Sequence, residues 1–343
     1  MRSVKNQRPP ISIHRLGVSE LKYVFNVGDK LLVAARPEMQ EIIRMLDLYA
    51  DDEMVVTLLG RPGVGKTILA LYLHLISKRA NRKMVSVNCA TVPEYLAESE
   101  LFGHEKGSYT DAYFDRRGYF QQADGSTLFL DEISLTPLCV QPKLLRAIET
   151  GWIKPVGSEK EIHVDCRVVT ATNADLEELV AKGQFREDLY WRIFDIPIYV
   201  PPLRERKEDI VILMNIIVHR YCEKKGLPFP QIDRDAFRAL LSYDWPGNIR
   251  QLETVLQRAT RECKGAIITI RLIEILLKHH EESKKNLKEK LALVEKQEMV
   301  GAIIASDLDS EAAESIEYSP GKFKSKKRDY GIYSRSIRKT FKG

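Results

Sequence analysis

With 343 residues, 44% hydrophobic and 29% charged, the chain can bury one large core and a smaller module, so two or three domains are expected. Its formal net charge of +5 is modest, which argues against a chain that is basic throughout and directs attention to where the charge lies. Five widely spaced cysteines without a CxxC pair, no apolar run of membrane-span length and no signal-peptide segment argue against zinc, disulfide and membrane classes, and lead to the expectation of a cytoplasmic protein with reduced thiols.

Residues 1–30 are short, interrupted by Pro9-Pro10, and too small for an independent sensory domain. From residue 31 to 202 strands and helices alternate. Met54 to Leu59, Met84 to Val87, Thr127 to Leu130 and Arg167 to Thr172 are apolar runs of strand length, and Thr67 to Arg79 follows the first of them as a helix. Such alternation predicts an α/β fold with a parallel sheet covered on both faces. Pro201-Pro202 breaks the chain. Residues 203–280 carry helical patterns only, at Lys207 to Lys225, Asp233 to Tyr243, Asn248 to Cys263 and Ile270 to His280, as in a small helical lid. Residues 281–343 begin with a charged connector, Glu281 to Lys290, continue in a helical pattern and end in a basic stretch. From Tyr318 onward nine Lys and Arg face only Asp329, which suggests nucleic acid or another polyanion, the bland reading being a solubilising tail.

Gly60, Arg61, Pro62, Gly63, Val64, Gly65, Lys66 and Thr67 spell GRPGVGKT between a strand and a helix. The glycines let backbone N–H groups turn around a β-phosphate, Lys66 reaches the β/γ-phosphates, and the Thr67 hydroxyl can ligate Mg²⁺. Asp131, closing the run STLFLDE, would hold Mg²⁺ through water, and Glu132 would orient the attacking water. ATP and Mg²⁺ are the expected cofactors.

Between these motifs, Glu100 to Ala112 reads ELFGHEKGSYTDA. It resembles the GHEKGAFTGA insertion of the bacterial enhancer-binding proteins, the NtrC-like AAA+ ATPases that remodel sigma-54 RNA polymerase. The resemblance implies an AAA+ P-loop sheet with a helical lid. It matches Asn88 to the residue that pairs with the catalytic glutamate, Asn173 to the sensor at a strand end, and Arg250, in WPGNIRQLE, to the second sensor on the lid. FREDLYWRI is similar to the segment that supplies arginine fingers to a neighbouring subunit, so Arg186 and Arg192 are the expected fingers, and a homo-oligomeric ring, a hexamer, is implied. Fixed guanidinium groups suit the charge spread over a γ-phosphate in transit.

Gly107, Ser108, Tyr109, Thr110, Asp111 and Ala112 correspond to the loop that presses on sigma-54. Tyr109 keeps an aromatic and Thr110 is intact, whereas Asp111 replaces a glycine, removing backbone freedom and adding a charge. Many family members carry GESGTGKE in the phosphate loop; Thr67 here is the general P-loop residue. Ala312 to Ile332 aligns without a gap with the Fis-type helix-turn-helix pattern. Ser319 would cap a recognition helix whose Lys322, Lys324, Lys326 and Lys327 contact double-stranded DNA. Glu317, Gly321, Lys324 and Lys327 depart from that pattern. The expected function is a sigma-54-dependent activator that hydrolyses ATP in a ring, remodels the polymerase closed complex and binds DNA. The alternatives are an ATPase of the same lineage acting on a different protein, and a nucleotide-gated DNA-binding regulator.

Overall fold

The computed structural model describes residues 24–28, 30–108, 113–305, 309–316, 318–330 and 332. The chain divides into two units, Met1–Ile273 and Glu274–Gly343. The first opens with an antiparallel hairpin of β1 (Val24–Val27) and β2 (Lys30–Val33), followed by α1 (Pro37–Leu48). The hairpin straddles residue 31, the expected start of the core, because Val27 and Leu32 bury with Met39, Ile42 and Leu46 of α1.

β3 (Val56–Leu59), β4 (Val85–Asn88), β5 (Thr127–Asp131), β8 (Arg167–Thr172) and β9 (Ile196–Tyr199) form one sheet in the order β4-β5-β8-β3-β9. All four pairings are parallel. The sequence anticipates four of these strands; β9 is additional. Pro197 interrupts its apolar pattern, and a proline that cannot donate to a ladder is tolerated because β9 lies at the edge. Successive residues of β5 divide the core in two. Leu128 and Leu130 pack on one face with Val87, Val168 and the helices α3 (Ala97–Phe102), α4 (Tyr119–Gln122), α5 (Gln141–Thr150) and α7 (Glu187–Ile193). Phe129 points to the other face, with Val169, Ile196 and α2 (Lys66–Leu75). A second hairpin, β6 (Trp152–Ile153) with β7 (Ile162–His163), follows α5, and α6 (Leu176–Ala181) follows β8.

The lid contains α8 (Lys207–Lys225), α9 (Arg234–Ser242) and α10 (Asn248–Glu262), near the predicted bounds. It is not purely helical: β10 (Gln231–Ile232) and β11 (Ile267–Ile268) pair in parallel. α11 runs from Ile270–Ala305 as one helix through the predicted connector, whose Glu, Lys and Leu residues are all strong helix formers. In the second unit, α12 (Asp309–Ser315) and α13 (Pro320–Asp329) share a small core of Met299, Ile303, Ala312, Ala313, Phe323 and Ile332. Among the described residues no helix is long and apolar enough to cross a membrane.

Candidate nucleotide site

Parallel strands deliver their carboxyl ends to one edge of the sheet, where α/β proteins bind ligands. Here Asn88 and Asp131 lie side by side in register, and Gly60, just past β3, donates its N–H to the Thr172 carbonyl. Around this edge is a cavity of about 390 Å³ lined by Pro62 to Thr67, Asn88, Asp131, Glu132 and Arg250. Three motifs separated by long stretches of chain are thus brought together. Gly60 and Asn173 line an adjoining cavity of about 330 Å³.

Lys66 begins α2, is 6% exposed and donates to the Gly60 carbonyl at 2.7 Å. Burial holds its ammonium below the usual lysine range, against the pull of Glu132 and Asp131. A buried cation with one neutral hydrogen-bond partner favours an anionic ligand, and the phosphate loop places backbone N–H groups beside it. The Thr67 hydroxyl and the Asp131 carboxylate are hard oxygen donors in the same cavity and fit a magnesium ion.

Glu132 follows directly in the left-handed region, at φ 54. Its carboxylate accepts from the Asn173 N–H and from Asn173 Nδ2, both at 3.2 Å, and lies 3.9 Å from Lys66 Nζ. The Asn88–Glu132 pair implied by the resemblance is not formed. Asn88 Oδ1 instead accepts the Ala90 N–H at 2.9 Å, capping the short turn after β4, a local bond that competes with a longer reach.

Arg186 and Arg192 lie outside the cavity. Arg186 is exposed and bidentate with Asp188 at 3.0 and 2.6 Å, and Arg192 meets Asp195 at 3.3 Å. Arg206, at the entry to the lid, was not apparent from sequence and does line the cavity. It is 2% exposed, donates to the Val64 carbonyl and lies 3.6 Å from Asp209. Asp209 in turn accepts the N–H groups of Ala35 and Arg36 at 2.7 and 3.1 Å. No spacing within PPLRER ties Arg206 to a loop 142 residues earlier.

In the insertion, Gly107 and Ser108 are described; Tyr109, Thr110, Asp111 and Ala112 lie outside the described residues. Its stem is closed by a backbone bridge between His104 and Arg116 and by the Arg116–Glu100 ion pair. In the second unit, Ser319 caps α13 by accepting the Lys322 N–H at 3.3 Å, as expected. Lys322 stands 3.7 Å over the Tyr318 ring and Lys324 is exposed. Lys326 and Lys327 form ion pairs with Glu295 and Asp309. Hydrogen bonds from Tyr318, Tyr330 and Lys326 bring the Glu295 carboxyl down to about 2.

A parallel sheet with a phosphate loop, acidic strand end, strand-end asparagine and arginine-bearing helical lid defines an AAA+ P-loop nucleotide-binding module. Residues 32–199 match the sigma-54 interaction domain family, and residues 204–290 the AAA+ ATPase lid domain family. The chain is 40% identical over 246 residues to the formate hydrogenlyase transcriptional activator FhlA of Escherichia coli K12, covering 72% of this chain and 36% of that one. It is 43% identical over 243 residues to the DNA-binding transcriptional regulator NtrC of Azospirillum brasilense, covering 71% and 50%. The crystal structure of NtrX from Brucella abortus in complex with ADP superposes with a TM-score of 0.66 at 30% identity, covering 88% of this chain and 70% of that one. The chain belongs to the family of sigma-54-dependent enhancer-binding activators. It spans between about a third and a half of the length of the curated relatives it matches.

Proposed function

We propose that the chain hydrolyses ATP in a homo-oligomeric ring, a hexamer, and uses that cycle to remodel the sigma-54 RNA polymerase closed complex. The observation that carries this reading is the convergence of Lys66, Asp131, Glu132 and Arg250 on one cavity beside the phosphate loop. Lys66 and the loop N–H groups bind and orient the triphosphate. Thr67 and Asp131 would hold Mg²⁺, which when bound neutralises phosphate oxygens. Glu132 orients the attacking water and accepts its proton once Asn173 releases the carboxylate. Arg186 and Arg192, which do not line their own cavity, act on the site of the next subunit, and the segment Gly107 to Ala112 meets sigma-54. The second unit supplies DNA binding: α12 and α13 act as a Fis-type helix-turn-helix, with Ser319 capping and Lys322 and Lys324 offered to the duplex. A cytoplasmic location goes with these partners.

The purified chain is expected to turn over MgATP and to form open complexes at a sigma-54 promoter only when ATP is present. Glu132→Gln should lower turnover at least about 100-fold while ATP binding persists. Binding without turnover would leave a nucleotide-gated DNA-binding regulator. The charge that Asp111 brings in place of a glycine in the insertion sequence favours a second reading, an ATPase of this lineage with a different protein target. Retention on immobilised sigma-54 N-terminal region with an ATP transition-state mimic supports the first reading, and brisk turnover without retention supports the second.

A further inference from the structure

Three consecutive carbonyls of the phosphate loop are taken by donors from the lid side of the same unit. Asn248 Nδ2 donates to the Pro62 oxygen at 2.9 Å, the Ile249 N–H to the Gly63 oxygen at 3.0 Å, and Arg206 Nη2 to the Val64 oxygen. In a planar trans peptide the carbonyl of one residue and the N–H of the next point in opposite directions. Drawing the oxygens of Pro62, Gly63 and Val64 toward the lid therefore fixes the N–H groups of Gly63, Val64 and Gly65, the groups a phosphate loop turns inward. The lid backbone approaches so closely that a Cβ on Gly63 would lie 2.6 Å from the Gly247 oxygen.

Asn248 is the hub. It is 1% exposed, sits at φ 52, and uses both ends of its carboxamide, since Oδ1 accepts the Leu203 N–H at 2.9 Å. Glycine would fit the left-handed backbone and lose both bonds. Aspartate would fit it and keep the acceptor, but lose the donor. Only asparagine combines that dihedral with one donor and one acceptor of this length.

We propose that Asn248 is a positioning residue of the nucleotide site, which with Arg206 and the Ile249 N–H clamps the phosphate loop in its anion-binding conformation. This rests on the ATP reading above. The lid thereby senses the loop through the backbone, independently of Arg250.

The test uses the full chain, with MgADP binding measured by calorimetry and ATP turnover measured at pH 8 and pH 6. Asn248→Asp removes one donor and sets a carboxylate against the Pro62 oxygen. It should weaken MgADP binding about tenfold at pH 8 and raise KM more than it lowers kcat. The loss should shrink at pH 6, because a protonated carboxyl can donate to Pro62 again, and it should do so at a temperature where circular dichroism shows the variant folded at both pH values. Unchanged affinity at pH 8, or an equal loss at both pH values, overturns the proposal. Hydrogen exchange on the unmodified chain gives a second measurement should the variant not fold. MgADP should slow the Leu203 and Ile249 amides along with those of Gly63 to Gly65, and slowing confined to the loop overturns the clamp. An unmodified chain that binds neither ATP nor ADP overturns the ATP reading itself.

Discussion

Glu132 occupies a dihedral that costs a bulky residue about 1–3 kcal/mol, and the surrounding sheet imposes it. The resulting turn aims the carboxylate back across the edge toward Asn173 and Lys66. At the opposite, amino end of the sheet, His74 of α2 is 2% exposed and joins α2 to the start of β5. Its Nε2 lies 2.8 Å from the Arg82 carbonyl, which can only accept, so Nε2 carries the proton and Nδ1 accepts from the Thr127 hydroxyl at 2.9 Å. Burial holds the imidazole below its ordinary value. The unfolded chain therefore binds this proton first as pH falls. The stability His74 contributes is complete above the unfolded value of about 6.5 and declines below it, down to the folded value. Melting temperatures at pH 7.5 and 5.5 should fall more steeply for the unmodified chain than for His74→Gln; parallel falls would exclude His74 as the responsible group.

At the scale of elements, the insertion depends on its stem. The backbones of Gly103 and Gly118 touch: a Cβ on Gly118 would lie 2.2 Å from the Gly103 nitrogen and 2.4 Å from the Phe102 carbonyl carbon. Neither neighbour is a flexible side chain, so the two strands of the stem must separate if a methyl is added. Gly118→Ala should lower stability by about 1–3 kcal/mol in denaturant unfolding. It should also impair open-complex formation more than MgADP binding, because the stem packs on α3 and α4 rather than on the phosphate loop. A variant that activates as well as the unmodified chain would show that the stem tolerates opening. In the second unit, α13 shows the same dependence on neighbours. Its basic residues look equivalent in sequence, yet Phe323 anchors the helix and turns Lys326 and Lys327 toward Glu295 and Asp309.

At the scale of the whole molecule, the proposed fingers and the cavity belong to one chain but do not meet within it. If Arg186 completes a neighbour's site, mixing two inactive variants should restore some turnover. Arg186→Ala and Glu132→Gln, each alone at least about 100-fold slow, should together regain a measurable fraction of unmodified activity. Restoration comes from boundaries at which an intact Glu132 faces an intact Arg186. A mixture no faster than its components would place Arg186 outside the reaction.

What the sequence determined by itself is local. The phosphate loop, the acidic strand end, the cap at Ser319 and the alternation of strands with helices each follow from residues a few positions apart, whose geometry the backbone dictates directly. The sheet order, the edge strand interrupted by Pro197, and the unbroken α11 were decided elsewhere, because pairing partners and continuous helix propensity outweighed the local breaks. The tertiary structure alone decided that Asn173 holds Glu132 while Asn88 caps its own turn, and that Arg206 and Asn248 grip the phosphate loop. Each of those outcomes is a competition for a hydrogen-bond partner, and the winner depends on which groups packing brings within about 3 Å. Distance along the chain carries no record of it.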